Sequence, residues 1–258
     1  MEALAGRHAL VTGGGSGIGA AIVRRLASQG AMVTLAGRRQ SALDEVAAKL
    51  PKALACAADV TREDDCARLV ERARQAFGPV DIVIANAGSA DSQPFGHTDL
   101  ARWQASLDVN LTGTFLTIRA CLPDLLRQQH DAIDLRRIVC IASTAGVKGY
   151  AYVAPYVAAK HGVIGLVRAL AAEFAQTSLT ANAVCPGYVE TPLLEKTIAN
   201  IVAKTGRTAE QAASTLRKGN PQGRMIHPDE VAATVAWLCS TDARSVTGQA
   251  IAVAGGEI

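Results

Sequence analysis

Short, mostly apolar runs alternate with longer amphipathic segments from one end of the chain to the other. HALVT (8–12), AMVTLAG (31–37), ALACAADV (53–60), VDIVIANAG (80–88), RRIVCIAS (136–143), TANAVCP (180–186) and QAIAV (249–253) are too short to be helices. They have the character of strands buried on both faces. Between them lie helical segments at 20–30, Ser41 to Leu50, Arg62 to Phe77 with a cap from Thr61, Tyr156 to about Gln176, and Asp229 to Cys239. Residues 100–122 form another, with Trp103, Leu107, Leu111, Phe115, Ile118 and Leu122 on one stripe. Asn110 interrupts that stripe, so it either faces solvent or marks a kink that serves a site. Regular alternation of this kind predicts an α/β fold: a single Rossmann-type domain, a doubly wound parallel sheet with helices on both faces.

The first strand runs straight into TGGGSGIG (12–19), and the glycines at 13, 17 and 19 lead into a helix. A strand, a glycine turn and a helix within about 30 residues present helix N-terminal amides to a pyrophosphate. The spacing is GxxxGxG. At the end of the second strand, an acid would bond both hydroxyls of an adenosine ribose, but the chain has Arg38 and Arg39 there. A guanidinium in that place suits a 2'-phosphate, which favours NADP(H) over NAD(H); the alternative is that both arginines are solvated at the start of the next helix. Asp59, Asn86 and Gly88 follow the ends of further strands, the edge at which open parallel sheets bind ligands; Asp59 alternatively caps its turn.

Ser143 ends the fifth strand, and the following stretch carries Tyr156 and Lys160 on a helix opened by Pro155. Residues four apart share a helix face, so phenol and ammonium point the same way. A cation there favours the phenolate and is expected to draw the tyrosine pKa down from about 10, making Tyr156 a candidate general acid/base. On the same helix Ala158, Gly162, Gly165 and Ala169 form a small-residue stripe that would admit another helix, such as one from a neighbouring subunit.

Composition narrows the picture. The 258 residues are 49% hydrophobic and carry a formal charge of +3, with no run of Lys or Arg longer than two. This gives no sign of a nucleic-acid face or a membrane patch, and the arginine pairs at 24/25, 38/39 and 136/137 are expected mostly at the solvated surface. No apolar stretch has the length of a membrane span and the N-terminus lacks a leader pattern, so a cytoplasmic protein is expected. The six cysteines have no CxxC spacing and read as reduced, buried thiols, not disulfides or a metal site.

Taken together, TGGGSGIG, Asp59 with Val60, Asn86-Ala87-Gly88, Asn110, Ser143, Tyr156 with Lys160, and PGYVETP (186–192) resemble the short-chain dehydrogenase/reductase family over essentially the whole chain. The resemblance implies a seven-stranded sheet, usually in a homotetramer or homodimer. It implies that Tyr156 donates or accepts the proton, Lys160 lowers its pKa and bonds the nicotinamide ribose, Ser143 holds the substrate carbonyl, and Asn110 supports a water leading to Lys160. It places Gly13, Ser16, Gly17, Ile18, Gly19, Arg38, Arg39, Asp59, Val60, Asn86, Ala87 and Gly88 at the cofactor. Pro186, Gly187, Val189 and Thr191 fall at its nicotinamide end. Two positions depart from the family pattern: NNAG is Ala85-Asn86-Ala87-Gly88, and the frequent DGG near the C-terminus is Ala254-Gly255-Gly256.

Two short helices split at Gly206 are expected within 193–224, as a substrate lid offering Leu193, Leu194, Ile198 and Val202 or as a surface hairpin. The quoted stretches look most like ketoreductases of polyketide synthesis and β-ketoacyl thioester reductases, while the lid is similar to that of 3-hydroxybutyrate dehydrogenases. The expected activity is NADP(H)-dependent hydride transfer to a β-keto acyl thioester or related ketone. The alternatives are an NAD(H)-dependent dehydrogenase of a small 3-hydroxy acid or secondary alcohol, and a catalytically silent nucleotide-binding protein.

Overall fold

Alternate side chains of a strand point to opposite faces of a sheet, so a strand that is apolar at every position needs cover on both. The computed structural model describes residues 3–127 and 135–258. Its strands are β1 (His8–Thr12), β2 (Met32–Gly37), β3 (Ala53–Ala57), β4 (Ile82–Ala85), β5 (Arg137–Ile141), β6 (Thr180–Pro186) and β7 (Ala250–Val253). They form one parallel sheet in the order β3-β2-β1-β4-β5-β6-β7. Ala9 and Val11, Ile82 and Ile84, and Val139 and Ile141 face helices α1 (Gly17–Ser28) and α9 (Pro228–Cys239). Leu10, Val83, Ile138 and Cys140 face α3 (Glu63–Phe77), α5 (Gly113–Leu125) and α6 (Ala154–Glu173) on the other side. Each fully buried Leu, Ile or Val contributes about 2 kcal/mol, and strand after strand contributes to both cores.

The order reverses at β1, which has β2 on one side and β4 on the other. A crevice opens at such a switch point beyond the carboxyl ends of the strands. Thr12 closes the mouth of β1: its hydroxyl receives the amides of Asn86 and Ala87, each at 3.1 Å, tying the first turn to the fourth. Two further helices, α7 (Pro192–Thr205) and α8 (Ala209–Arg217), form the 193–224 segment and part at Gly206, whose φ of 68° ends α7 in the left-handed conformation. Helix α2 (Gln40–Ala47) covers the outer strands. No helix among the described residues is long and apolar enough to cross a membrane.

Several expectations need correction. Arg136 and Arg137 are buried, not solvated. Arg137 donates to the carbonyls of Arg136 (2.9 Å), Ser178 (3.3 Å) and Ser240 (3.3 Å), and Arg136 reaches Arg127 O and Ser178 Oγ, so backbone acceptors replace water at the start of β5. Thr61 does not cap α3, because its hydroxyl is committed to Asp59 Oδ1 at 2.8 Å. The stretch 100–122 is divided. Helix α4 (Leu100–Leu107) passes through a π turn at Asp108–Thr112 before α5 begins. On α6, a side chain at Gly162 would meet Leu111 at 2.8 Å, so this part of the small-residue stripe seats the chain's own π turn, while Gly165 and Ala169 are exposed. All six cysteines are buried free thiols, as expected.

Candidate active site

The strand ends deliver their next residues to one cavity of about 800 Å³. Its walls include Gly13, Ser16, Gly17, Ile18 and Gly19 after β1, Asn86, Ala87 and Gly88 after β4, and Ser143 after β5. Pro186, Gly187, Val189 and Thr191 follow β6, and Asn110, Tyr156 and Lys160 come from the helices. The structure therefore gathers most of the sequence-derived candidates in one place. Arg38, Arg39, Asp59 and Val60 lie outside it.

The glycine turn is shaped by close approach. A Cβ on Gly19 would lie 2.1 Å from Gly13 O, and Gly13 itself, at φ 67°, admits no side chain beside Asn86 Nδ2. Asn86 Nδ2 donates to Thr12 O at 2.8 Å and fastens the turn from below. The first-turn amides of α1 have no acceptor within their own helix, and glycines leave them uncovered. Thr191, the N-cap of α7, lies against Gly17, where a Cβ would be 3.0 Å from its Cγ2. This glycine cradle, open to the cavity, fits the pyrophosphate of a dinucleotide.

Arg38 and Arg39 are exposed just beyond β2. Asp59 accepts both the amide (3.0 Å) and the hydroxyl of Thr61, and those bonds, the amide first, hold its carboxyl below the usual range, helped by nearby Arg38. The capping reading of Asp59 is thus realised in the turn.

Asn110 is fully buried in the π turn. Its Oδ1 accepts Ser89 N at 3.1 Å, and its Nδ2 donates to Ser89 O and Ser106 O, both at 2.9 Å. Neither solvent exposure nor a simple kink describes it: the wider turn lets a mid-helix amide reach the loop after β4. Gly88 must be glycine there, since a Cβ would lie 2.8 Å from Asn110 Oδ1.

Tyr156 and Lys160 stand one turn apart on α6, with the ammonium 5.6 Å from the phenol ring centre. Lys160 is buried and donates to Ile141 O at 2.8 Å; burial lowers its pKa to about 8. The expected depression of the Tyr156 pKa is not found. Burial raises it, opposed by a hydrogen bond from Ser143, because a phenolate there would lose its hydration while the ammonium is engaged by a carbonyl. Ser143 Oγ accepts Ala145 N at 3.1 Å, which leaves its proton for Tyr156 or for a ligand oxygen.

The rest of the wall includes Gln93, Tyr150, Tyr152, Val153 and Tyr188, with Leu193, Leu194, Thr197, Ile201 and Lys204 from α7. Of the four apolar residues expected to face a ligand, Leu193 and Leu194 do so. Ile198 instead packs on the cluster of Leu194, Leu216 and Met225, and Val202 is not part of the wall. Lys204 Nζ bonds Ser92 O and lies 3.4 Å from Gln93 Oε1, joining α7 to the loop after β4. Sequence reasoning did not single out Thr12, Ser89, Tyr150, Tyr188 or Lys204. Only Thr12, the polar last residue of an apolar strand, carries a local signal.

A family profile described as Enoyl-(Acyl carrier protein) reductase matches residues 13–257. A D-beta-hydroxybutyrate dehydrogenase of Cupriavidus necator is 38% identical over 254 residues, covering 95% of each chain. A structure of an actinorhodin polyketide ketoreductase variant with NADPH superposes with a TM-score of 0.91 at 36% identity, covering 97% of both chains. A 3-ketoacyl-(acyl-carrier-protein) reductase from Brucella melitensis complexed with NADH gives 0.88 at 32% identity, covering 98% of this chain and 99% of that one. With the glycine cradle, the switch-point cavity and the Ser143, Tyr156 and Lys160 set in one site, these likenesses place the chain in the short-chain dehydrogenase/reductase family, nicotinamide-dependent oxidoreductases of alcohols and ketones.

Proposed function

We propose that the protein is an NADP(H)-dependent reductase of an uncharged β-keto acyl group, such as a thioester, or of a related ketone. The observation that carries this reading is the distribution of charge in the cavity. Among the described residues its wall holds Asp91, Lys160 and Lys204 as the charged groups. Lys160 is engaged by Ile141 O and Lys204 by the 92–93 loop, while Lys148 pairs with Glu257 at 3.1 Å. A small 3-hydroxy acid would bring a carboxylate within a few ångströms of the reacting carbon, and among the described residues the wall offers it only Lys160, which in this reading bonds the nicotinamide ribose, and Lys204 on α7. Arg38 at the end of β2 supports NADP(H), with NAD(H) the alternative.

The bound nicotinamide would supply or accept the hydride. Ser143 and Tyr156 would hold the carbonyl oxygen, and both would donate to it as negative charge develops. A phenol kept protonated by burial is in the state that reduction requires. Lys160 would bond the nicotinamide ribose. Asn110 would keep the Ser89 loop in place beside it and support a water on the path to Lys160. The chemistry has no nucleic-acid or membrane component; a cytoplasmic homotetramer or homodimer is the proposed form, with Gly165 and Ala169 left exposed on α6.

The test is the oxidation of NADPH and, separately, NADH with acetoacetyl-CoA and with free acetoacetate, using Tyr156→Phe as the control. Turnover of the thioester with NADPH, abolished in the variant, supports the proposal. Preference for the free acid with NADH sinks it in favour of the 3-hydroxy acid dehydrogenase.

A further inference from the structure

The wall between Ser143 and Tyr156 is built by residues 147–153, a loop that is neither helix nor strand and is tied to the flanking helical turns only at its ends, where Val147 N and Lys148 N donate to Thr144 O and Val153 O accepts Val157 N. Tyr150, Tyr152 and Val153 from it line the cavity, and Tyr152 is the one non-glycine residue with positive φ (68°) among the described residues. The middle of such a segment has no ladder to fix it, so contacts from elsewhere in the chain must. One anchor is Gln93 N, which donates to Tyr152 O at 2.7 Å. The others converge on the penultimate residue of the chain.

Glu257 buries its carboxylate: the side chain is 4% exposed. Lys148 Nζ sits 3.1 Å from Oε1 and also donates to the Glu257 carbonyl at 3.3 Å. Tyr150 Oη bonds the same carboxylate oxygen and lies 2.7 Å from Thr144 Oγ1. The phenol has a single proton and a carboxylate can only accept. The protons are therefore ordered: Thr144 donates to Tyr150, and Tyr150 donates to Glu257. Burial first, then the Glu257 bond, raises the Tyr150 pKa, and the Thr144 bond opposes them, as this order requires. Thr144 is the neighbour of Ser143, and the other carboxylate oxygen of Glu257 lies 3.0 Å from where a Cβ on Gly187 would stand. A side chain at Gly255 would overlap Asn220 at 2.1 Å, so the tail is also seated against the end of the lid segment.

We infer that Glu257 is a positioning residue for the substrate side of the site, holding the Tyr150 loop in register with Ser143 through the Thr144–Tyr150–Glu257 chain. The inference rests on the ketone-reductase reading above. Glu257 touches no reacting atom; it sets where the wall carrying Tyr150 and Tyr152 stands relative to the pair that holds the carbonyl. A substrate's body, and not the cofactor, should register its loss.

The test compares Glu257→Ala, Glu257→Gln, Tyr150→Phe and the Ala/Phe double variant. Measurements are KM and kcat with acetoacetyl-CoA, the NADPH dissociation constant, thermal stability, and hydrogen exchange of the 147–153 amides. One charge-assisted hydrogen bond corresponds to about a tenfold effect. Glu257→Ala and Tyr150→Phe should each raise KM by about tenfold while kcat and NADPH affinity stay within about threefold. The double variant should be no worse than either single one, and Gln, which keeps the acceptor, should restore most of the loss. Exchange at 147–153 should quicken in Glu257→Ala and not in Glu257→Gln. That readout needs no turnover, so it decides the inference even where acetoacetyl-CoA is not reduced, an outcome that would count against the substrate reading alone. Unchanged KM and unchanged exchange in Glu257→Ala overturn the inference. So does a parallel fall in NADPH affinity and melting temperature that Gln fails to relieve, which would mark general destabilisation.

Discussion

Asn110 holds Ser89 by both backbone groups, accepting its N–H at 3.1 Å and donating to its carbonyl at 2.9 Å. The side-chain amide stands in for a strand partner and carries the loop after β4 on a helix. Asn110→Ala removes it and takes a partner from three part-buried backbone groups, Ser89 N–H, Ser89 O and Ser106 O, each bond being worth about 0.5–1.5 kcal/mol. Urea unfolding should show a loss of about 2–4 kcal/mol, and activity should fall with it, because the freed loop borders Lys160. Asn110→Asp should be nearly as damaging, since it deletes the donor to Ser89 O and Ser106 O.

Lys160 illustrates a site that works against stability. Its folded pKa of about 8 lies below the value of 10.5 that it has when exposed, so the unfolded chain binds the extra proton between those limits. The penalty is full below pH 8 and fades as the pH rises toward 10.5. Lys160→Met should therefore be inactive yet more stable than the parent at pH 7, by on the order of 1 kcal/mol once the orphaned Ile141 carbonyl is counted. The gap should narrow in melts recorded at stepwise higher pH. A gap that widens with pH would contradict the assignment.

Arg38 is exposed at the end of β2 and contributes to the field at Asp59. Arg38→Asp exchanges the cation proposed to meet a 2'-phosphate for an acid suited to the ribose hydroxyls. KM for NADPH should rise at least about tenfold while KM for NADH falls or holds, because one phosphate contact of this kind is worth roughly 1.5–3 kcal/mol. Steady-state kinetics with both cofactors decide it; equal effects on the two would place the 2'-phosphate elsewhere.

Lys204 ties α7 to the loop after β4 through Ser92 O and Gln93. Being exposed, the tie is weak, and Lys204→Ala should leave the melting temperature within a degree or two. Limited proteolysis near Gly206 should nonetheless quicken severalfold, since the segment loses a cross-cavity anchor. Bound NADPH and ketone together should slow the cleavage again in the parent.

The architecture was legible because the strands are mostly apolar on both faces and the breaks between elements carry Gly, Pro or polar clusters; even the split of the 193–224 segment at Gly206 was visible in the chain. The site was legible where a motif is short and local, as in the glycine turn or the Tyr156 and Lys160 pair. What could not be read depends on partners distant in sequence. Arg137 is acceptable in a core because backbone carbonyls converge on it, among them those of Ser178 and Ser240, distant in sequence. The π turn needs Ser89 to receive Asn110. The helix period shows that α7 has an apolar side, but not that Thr197 and Ile201 would line the cavity while Ile198 turns to Met225. The direction of the Tyr156 shift was missed for a similar reason: spacing reports the neighbouring charge and is silent about burial and about the carbonyl that occupies it.

All four tyrosines of the chain, Tyr150, Tyr152, Tyr156 and Tyr188, line the same cavity, whereas Trp103 and Trp237 do not. The protein thus carries its own optical label. Ultraviolet difference absorbance assigned to phenol arises wholly from this pocket, so a spectrophotometric alkaline titration, run with and without ligand, reads the protonation of the site against no background from the rest of the molecule.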